Sequence, residues 1–72
     1  MNNSTKMEFE VAHQLFIGMV SAPGTKDADI VNQFNKLVEK TTKTKMNIPE
    51  DTLKLFSEKK PELARKISTQ PA

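Results

Sequence analysis

Lysine is the residue type whose number and spacing most suggest a chemical role in this chain. The chain has 11 basic residues, and most of them fall into two groups. The first group is Lys36, Lys40, Lys43 and Lys45, and the second is Lys59, Lys60, Arg65 and Lys66. Positive charges on one face attract nucleic acid or an acidic protein surface. The competing interpretation is that these residues form a solvated surface with no binding role. Helix dipoles by themselves favour cations near helix C-termini.

These basic groups make the two halves of the chain unlike in charge. The formal net charge is +2. Up to Asn35, two lysines stand against four acidic residues, whereas from Lys36 onward nine basic residues stand against five acidic ones. The basic half of the chain is therefore the C-terminal one.

His13 is the only histidine, and the chain has no cysteine. A zinc site is not expected, since four good nitrogen and sulfur ligands are lacking. A catalytic histidine needs a nucleophile or a carboxylate at fixed distance, and the sequence offers only a surface contact with Glu10 one turn away. We predict no catalysis, no cofactor and no small-molecule substrate, because a 72-residue core leaves little room for a pocket.

The segment Gly24-Thr25-Lys26 invites comparison with a phosphate-binding loop, because it precedes a predicted helix. That motif needs a second glycine and a lysine directly before Ser or Thr. Neither is present here. A turn followed by a helix cap is therefore expected.

The first predicted helix carries more apolar residues than one buried face needs. They cover about half of its circumference, and Ile17 lies outside that arc. They are Phe9, Val11, Ala12, Leu15, Phe16, Met19 and Val20. This helix is either buried on two sides or binds a protein partner or a second copy. For the second case, the predicted partner-binding residues are Met7, Leu15, Ile17 and Met19.

The first helix is expected to begin at Thr5, where Thr5 and Glu8 form a capping box. It should end near Ser21, because Pro23 cannot continue it. Residues 7–11 alternate apolar and charged side chains, which is the period of a strand. The residues that follow break this alternation, so helix is favoured.

A second helix is expected from Thr25 or Asp27 to about Thr44, with Lys36, Lys40 and Lys43 on one face opposite its apolar side. A third should start at Asn47. Pro61 then forces either a kink or a short fourth helix. The apolar positions are Ile30, Val31, Phe34, Leu37, Val38, Leu53, Leu55, Phe56, Leu63, Ala64 and Ile67. We predict an all-α fold, a small three-helix bundle with a kink or short fourth helix at Pro61.

Three regions are expected along the chain: a disordered lead over 1–4, one helical domain over 5–67 and a flexible tail over 68–72. No apolar stretch reaches the roughly 20 residues that span a membrane. The first apolar run also lacks the basic leader of a secretory signal. A cytoplasmic location is expected, and the absence of cysteine fits a reducing compartment.

The favoured functional hypothesis is a small non-enzymatic interaction or regulatory module, such as an adaptor, inhibitor or subunit. It would dock through the apolar face of the first helix and the basic face. The alternative is a small dimeric DNA-binding regulator that uses the basic C-terminal half. That alternative needs a helix-turn-helix over 51–67, or a ribbon-helix-helix with 6–11 as a strand.

Overall fold

The computed structural model describes residues 3–68, and side chains over 6–67. It contains four helices: α1 (Asn3–Ser21), α2 (Asp27–Thr44), α3 (Glu50–Lys59) and α4 (Pro61–Ser68). No strand occurs within 3–68, so the prediction of a small all-α bundle is confirmed. The predicted lead and tail fall partly on 1–2 and 69–72, which lie outside the described residues.

Helix α1 begins at Asn3, two residues before the predicted start at Thr5. Thr5 is therefore within the helix rather than at its cap. The alternative strand over 7–11 is wrong, because these residues continue in helical register into the buried positions that follow. The helix ends as predicted, and Gly24 completes the following turn with a φ of 89°, a left-handed conformation that glycine adopts without steric cost.

The start of α2 differs from the prediction in its cap. Lys26 is the N-cap residue, and no side chain caps the helix. The Lys26 carbonyl accepts the N–H groups of Asp29 and Ile30 at 3.0 and 3.1 Å. Asp27 and Asp29 lie in the first turn, where their negative charges interact favourably with the positive end of the helix dipole. Gly24 to Lys26 thus lead from a turn into a helix, as expected, although without a side-chain cap.

The chain breaks between α3 and α4 rather than kinking. Lys60 has a φ of −134° and a ψ of 66°, which is not helical. Proline disfavours helical geometry in the residue before it and lacks an N–H, which accounts for a break at this point. Pro49, and not the predicted Asn47, is the N-cap residue of α3.

The core is formed where α1 packs against α2 and α3, with α4 packed against α3. Phe16 is central to it: its ring centroid lies 5.5 Å from that of Phe34 and 5.1 Å from that of Phe56. The buried apolar side chains are Phe9, Ala12, Phe16, Val20, Ile30, Leu37, Phe56 and Ala64. Phe34 is only half-buried, although it packs against this core.

The buried side of α2 is rotated relative to the apolar arc expected for it. Ile30, Gln33 and Leu37 are the buried residues, whereas Val38 is exposed. The Gln33 side chain donates from Nε2 to the carbonyl of Ala12 in α1, at 3.1 Å. This bond explains why a polar side chain can take a core position, since a buried amide without a partner is costly.

Candidate docking surface

Three large apolar side chains on one side of α1 face solvent. Met7, Val11 and Leu15 are 62%, 58% and 53% exposed. They are four residues apart, and residues at this spacing lie above one another on a helix. We call these three residues the α1 stripe. Single exposed apolar residues are ordinary, but a contiguous apolar surface marks an interaction site.

The α1 stripe exists because α1 has more apolar residues than its neighbours cover. The core takes the series Phe9, Ala12, Phe16 and Val20, spaced by three and four residues. The stripe lies on the other side of the same helix, since Val11 at its centre is about 100–180° around the helix axis from these core positions at 100° per residue. The wide apolar surface expected of α1 is therefore divided between a buried side and an exposed side.

The structure separates the four partner-binding residues that the sequence suggested. Met7 and Leu15 belong to the α1 stripe, whereas Ile17 and Met19 are half-buried. Met19 packs against the core, which leaves little of it available. Val11 was missed as a binding residue, although its spacing of four from both Met7 and Leu15 was a usable signal. Whether these residues bind a partner stays a prediction.

Lys40 of α2 borders α1, although the sequence predicted it opposite the apolar side of α2, whereas Lys36 and Lys43 are exposed. Lys40 is half-buried and its Nζ contacts Glu8 Oε1 at 3.0 Å. Together with the Gln33 bond to α1, this contact identifies the side of α2 that borders α1. Spacings of four and three residues place five side chains on this side. They are Asp29, Gln33, Lys36, Lys40 and Lys43, and we call them the α2 edge.

The second basic group lies near the other end of α2. Lys59 and Lys60 line a surface depression together with Asp27, the first residue of α2. An α-helix of 18 residues is about 27 Å long, so this group is well separated from Lys43 and Lys45, the latter a C-cap residue with a φ of 59°. Arg65 and Lys66 are exposed on α4. The fold thus does not gather all of the basic residues into one cluster near the C-terminal end of α2.

His13 takes part in the packing of α1 against α3. Its Nε2 lies 2.6 Å from Thr52 Oγ1 in a hydrogen bond, and its ring stacks on Phe9 with a centroid separation of 5.8 Å. Thr52 is buried. The expected surface contact with Glu10 is therefore replaced by a bond between helices. Within the described residues, no group of three or more His, Cys, Asp or Glu side chains could hold a metal ion.

Replacing Thr52 with valine tests the value of this bond. Valine keeps the shape but leaves His13 Nε2 without its partner, so the free energy of unfolding should fall by about 1–2 kcal/mol. The control is Thr42→Val on α2, where the exposed hydroxyl donates only to the Val38 carbonyl. Its expected effect is within about 0.5 kcal/mol. Urea denaturation followed by circular dichroism measures the free energy of unfolding of both variants. If Thr52→Val were as stable as Thr42→Val, the Thr52 bond would make no net contribution to stability.

A second apolar feature is a shallow groove of about 240 Å³ where α2, α3 and α4 meet. Leu53 is the most exposed apolar residue along it, although the sequence placed it in the core. The lining residues are Phe34, Leu53, Phe56, Ser57, Ala64 and Ile67. The groove is apolar except for Ser57 and holds no cluster of charged groups among these residues.

Comparison with protein-family models, with curated proteins and with solved structures gave no match to this chain. A search of the described helices found none that is long and apolar enough to cross a membrane. The α1 stripe and the α2 edge are therefore the features of this fold that bear on function.

Proposed function

We propose that this protein is a non-enzymatic interaction module that docks onto another protein surface through the α1 stripe. The exposure of Met7, Val11 and Leu15 on one side of a single helix carries this proposal. Full burial of such a side chain is worth about 1.5–3 kcal/mol relative to its exposed state. The α2 edge lies alongside and supplies the charged rim that interfaces usually have. We place this activity in the cytoplasm, with which the absence of cysteine is compatible.

DNA binding has less support as the function. A ribbon-helix-helix reader needs a strand at 6–11, and these residues are helical. A helix-turn-helix reader would have to use α4, which has only eight residues. The separation of Lys59 and Lys60 from Lys43 also works against a single electrostatic footprint.

Photo-crosslinking in the native host tests the docking function. A photoreactive amino acid at Val11 should give discrete adducts, because this position lies in the middle of the α1 stripe. The same group at Glu58, exposed on α3, is the matched control and should give none. Adding Leu15→Glu to the Val11 probe should abolish the adducts. Adducts that are equally strong from Glu58, or insensitive to Leu15→Glu, would contradict docking through the stripe.

Fluorescence anisotropy with a mixed-sequence DNA duplex separates the two functions. We expect no binding at about 0.15 M salt and only a shallow dependence of affinity on salt below it. The comparison variant carries Lys36→Glu, Lys40→Glu and Lys43→Glu. Binding that persists near 0.15 M salt, depends steeply on salt and disappears in this variant would favour the DNA-binding regulator instead.

A further inference from the structure

We infer that the surface which covers the α1 stripe is the α1 stripe of a second copy of this chain, with the two α1 helices antiparallel. The inference rests on the proposed docking function and names its partner.

Charge along α1 is confined to its N-terminal half. Lys6, Glu8 and Glu10 carry it, and residues 11–25 contain no Asp, Glu, Lys or Arg. An antiparallel pair places each charged half over the uncharged half of the other copy. A parallel pair would instead align Glu8 with Glu8 and Glu10 with Glu10, which is unfavourable. The charges along α1 thus favour the antiparallel over the parallel orientation.

The charges of the α2 edge also favour the antiparallel pair. It begins with the acidic Asp29 and continues with the basic Lys36, Lys40 and Lys43. A two-fold axis that makes the α1 helices antiparallel also brings both α2 edges to the same side, running in opposite directions. The basic end of each edge then lies beside the acidic end of the other. Lys36 of one copy comes to the level of Asp29 of the second copy, and this pair occurs twice.

Shape favours the same arrangement. Gly18 is exposed and continues the line of the α1 stripe one turn beyond Leu15, and a Cβ built on it meets no atom within 4 Å. In the antiparallel pair, Val11 lies opposite Leu15, and Met7, the most exposed of the three, lies opposite Gly18. A long flexible side chain thus meets the position that has no side chain.

The available area suits a dimer of modest affinity. Helix α1 is about 28 Å long, and packed helices such as α1 and α2 lie about 10 Å apart. Together they present a face of roughly 28 by 20 Å. This area is close to the roughly 600 Å² per partner at which stable interfaces begin. That requirement is about a ninth of the 5241 Å² surface of the chain. We therefore expect dissociation in the micromolar range.

Sedimentation equilibrium between about 5 and 500 µM tests the self-association. The weight-average mass should rise from 8.1 kDa toward twice that value. Leu15→Glu should remain monomeric over the whole range, whereas the matched control Leu53→Glu, on the α3 groove, should dimerise like the parent. A parent mass of 8.1 kDa at every concentration would overturn the inference. If Val11 then crosslinked a different protein in cells, the docking function would stand without the second copy.

Disulfide trapping tests the orientation, and the chain suits it because it has no cysteine of its own. Met7→Cys and Gly18→Cys are both at exposed positions. In the antiparallel pair, two copies of Met7 are separated by far more than the roughly 4–7 Å that a disulfide spans between Cα atoms. Each variant alone should stay uncrosslinked, and an equimolar mixture should form the mixed disulfide. Rapid trapping of Met7→Cys alone, with none of the mixed product, would overturn the antiparallel arrangement.

Discussion

Replacing Phe16 with alanine is expected to lower the free energy of unfolding by about 3–5 kcal/mol, the largest loss of any single truncation in this chain. Phe16 has no exposed surface, and its ring contacts those of Phe34 and Phe56 at 5.5 and 5.1 Å. Alanine would leave a cavity at the point where α1, α2 and α3 meet. A chain of this size has only a few kcal/mol of stability to lose, so the variant should be largely unfolded at 25 °C.

Thermal and urea denaturation, measured at concentrations below those that support self-association, give the comparison. The control is Leu15→Ala, one residue earlier on the same helix but in the exposed α1 stripe. Its loss should stay below about 1 kcal/mol, because its side chain is half in water already. If Phe16→Ala were as stable as Leu15→Ala, the assignment of the buried and exposed arcs of α1 would be wrong.

Leu37→Ala is expected to have the second largest effect, about 2–5 kcal/mol. Leu37 is fully buried on α2, beside Gln33, in the layer that packs against α1. The loss combines the transfer of the removed methyl groups to water with the cavity that remains. It should lower the denaturant midpoint without changing the slope of the transition, since the surface exposed on unfolding is nearly unchanged.

Val38 supplies the matched control for this variant. It follows Leu37 directly in the same helix but is 41% exposed, so Val38→Ala should cost less than about 1 kcal/mol. The comparison also tests the rotation of α2, because the apolar pattern alone places both residues in the core. Equal losses from the two variants would mean that α2 is rotated back toward Val38 in solution.

The helices of this fold could be predicted from the sequence, since their positions depend on local chemistry. Pro23 follows the end of α1 and Pro61 opens α4, and the break at Lys60 follows from the restriction that proline places on the residue before it. The break in the alternation after residue 11 favoured helix over the competing strand, whereas the helix start expected at Thr5 was two residues late. The all-α class therefore required no knowledge of how the helices pack.

The packing required information that no single helix contains. Buried Gln33 donates to the carbonyl of Ala12 in α1, and buried Thr52 is hydrogen-bonded to His13 of α1. Both partners are distant in sequence, so hydrophobic periodicity gave no sign of either bond. The same limitation affected Val38, which local pattern assigned to the core.

The residues of the candidate site could be predicted only in part, because their exposure depends on the packing. The sequence showed that α1 has too many apolar residues, but which arc remains exposed depends on where α2 and α3 pack. Met7 and Leu15 were therefore identified, Val11 was missed, and Met19 was assigned to the surface although it packs against the core. Lys40 likewise could be placed on α2, but its contact with Glu8 of α1 could not be inferred.

The two polar bonds from α1 begin at neighbouring residues, Ala12 and His13, and each ties α1 to a different helix. Rotation of α1 about its own axis would break both bonds at once. Such a rotation is what an isolated bundle would need in order to draw the α1 stripe inward. These two hydrogen bonds thus resist rotation of α1 about its own axis. They keep the apolar stripe exposed to solvent even when no partner is bound.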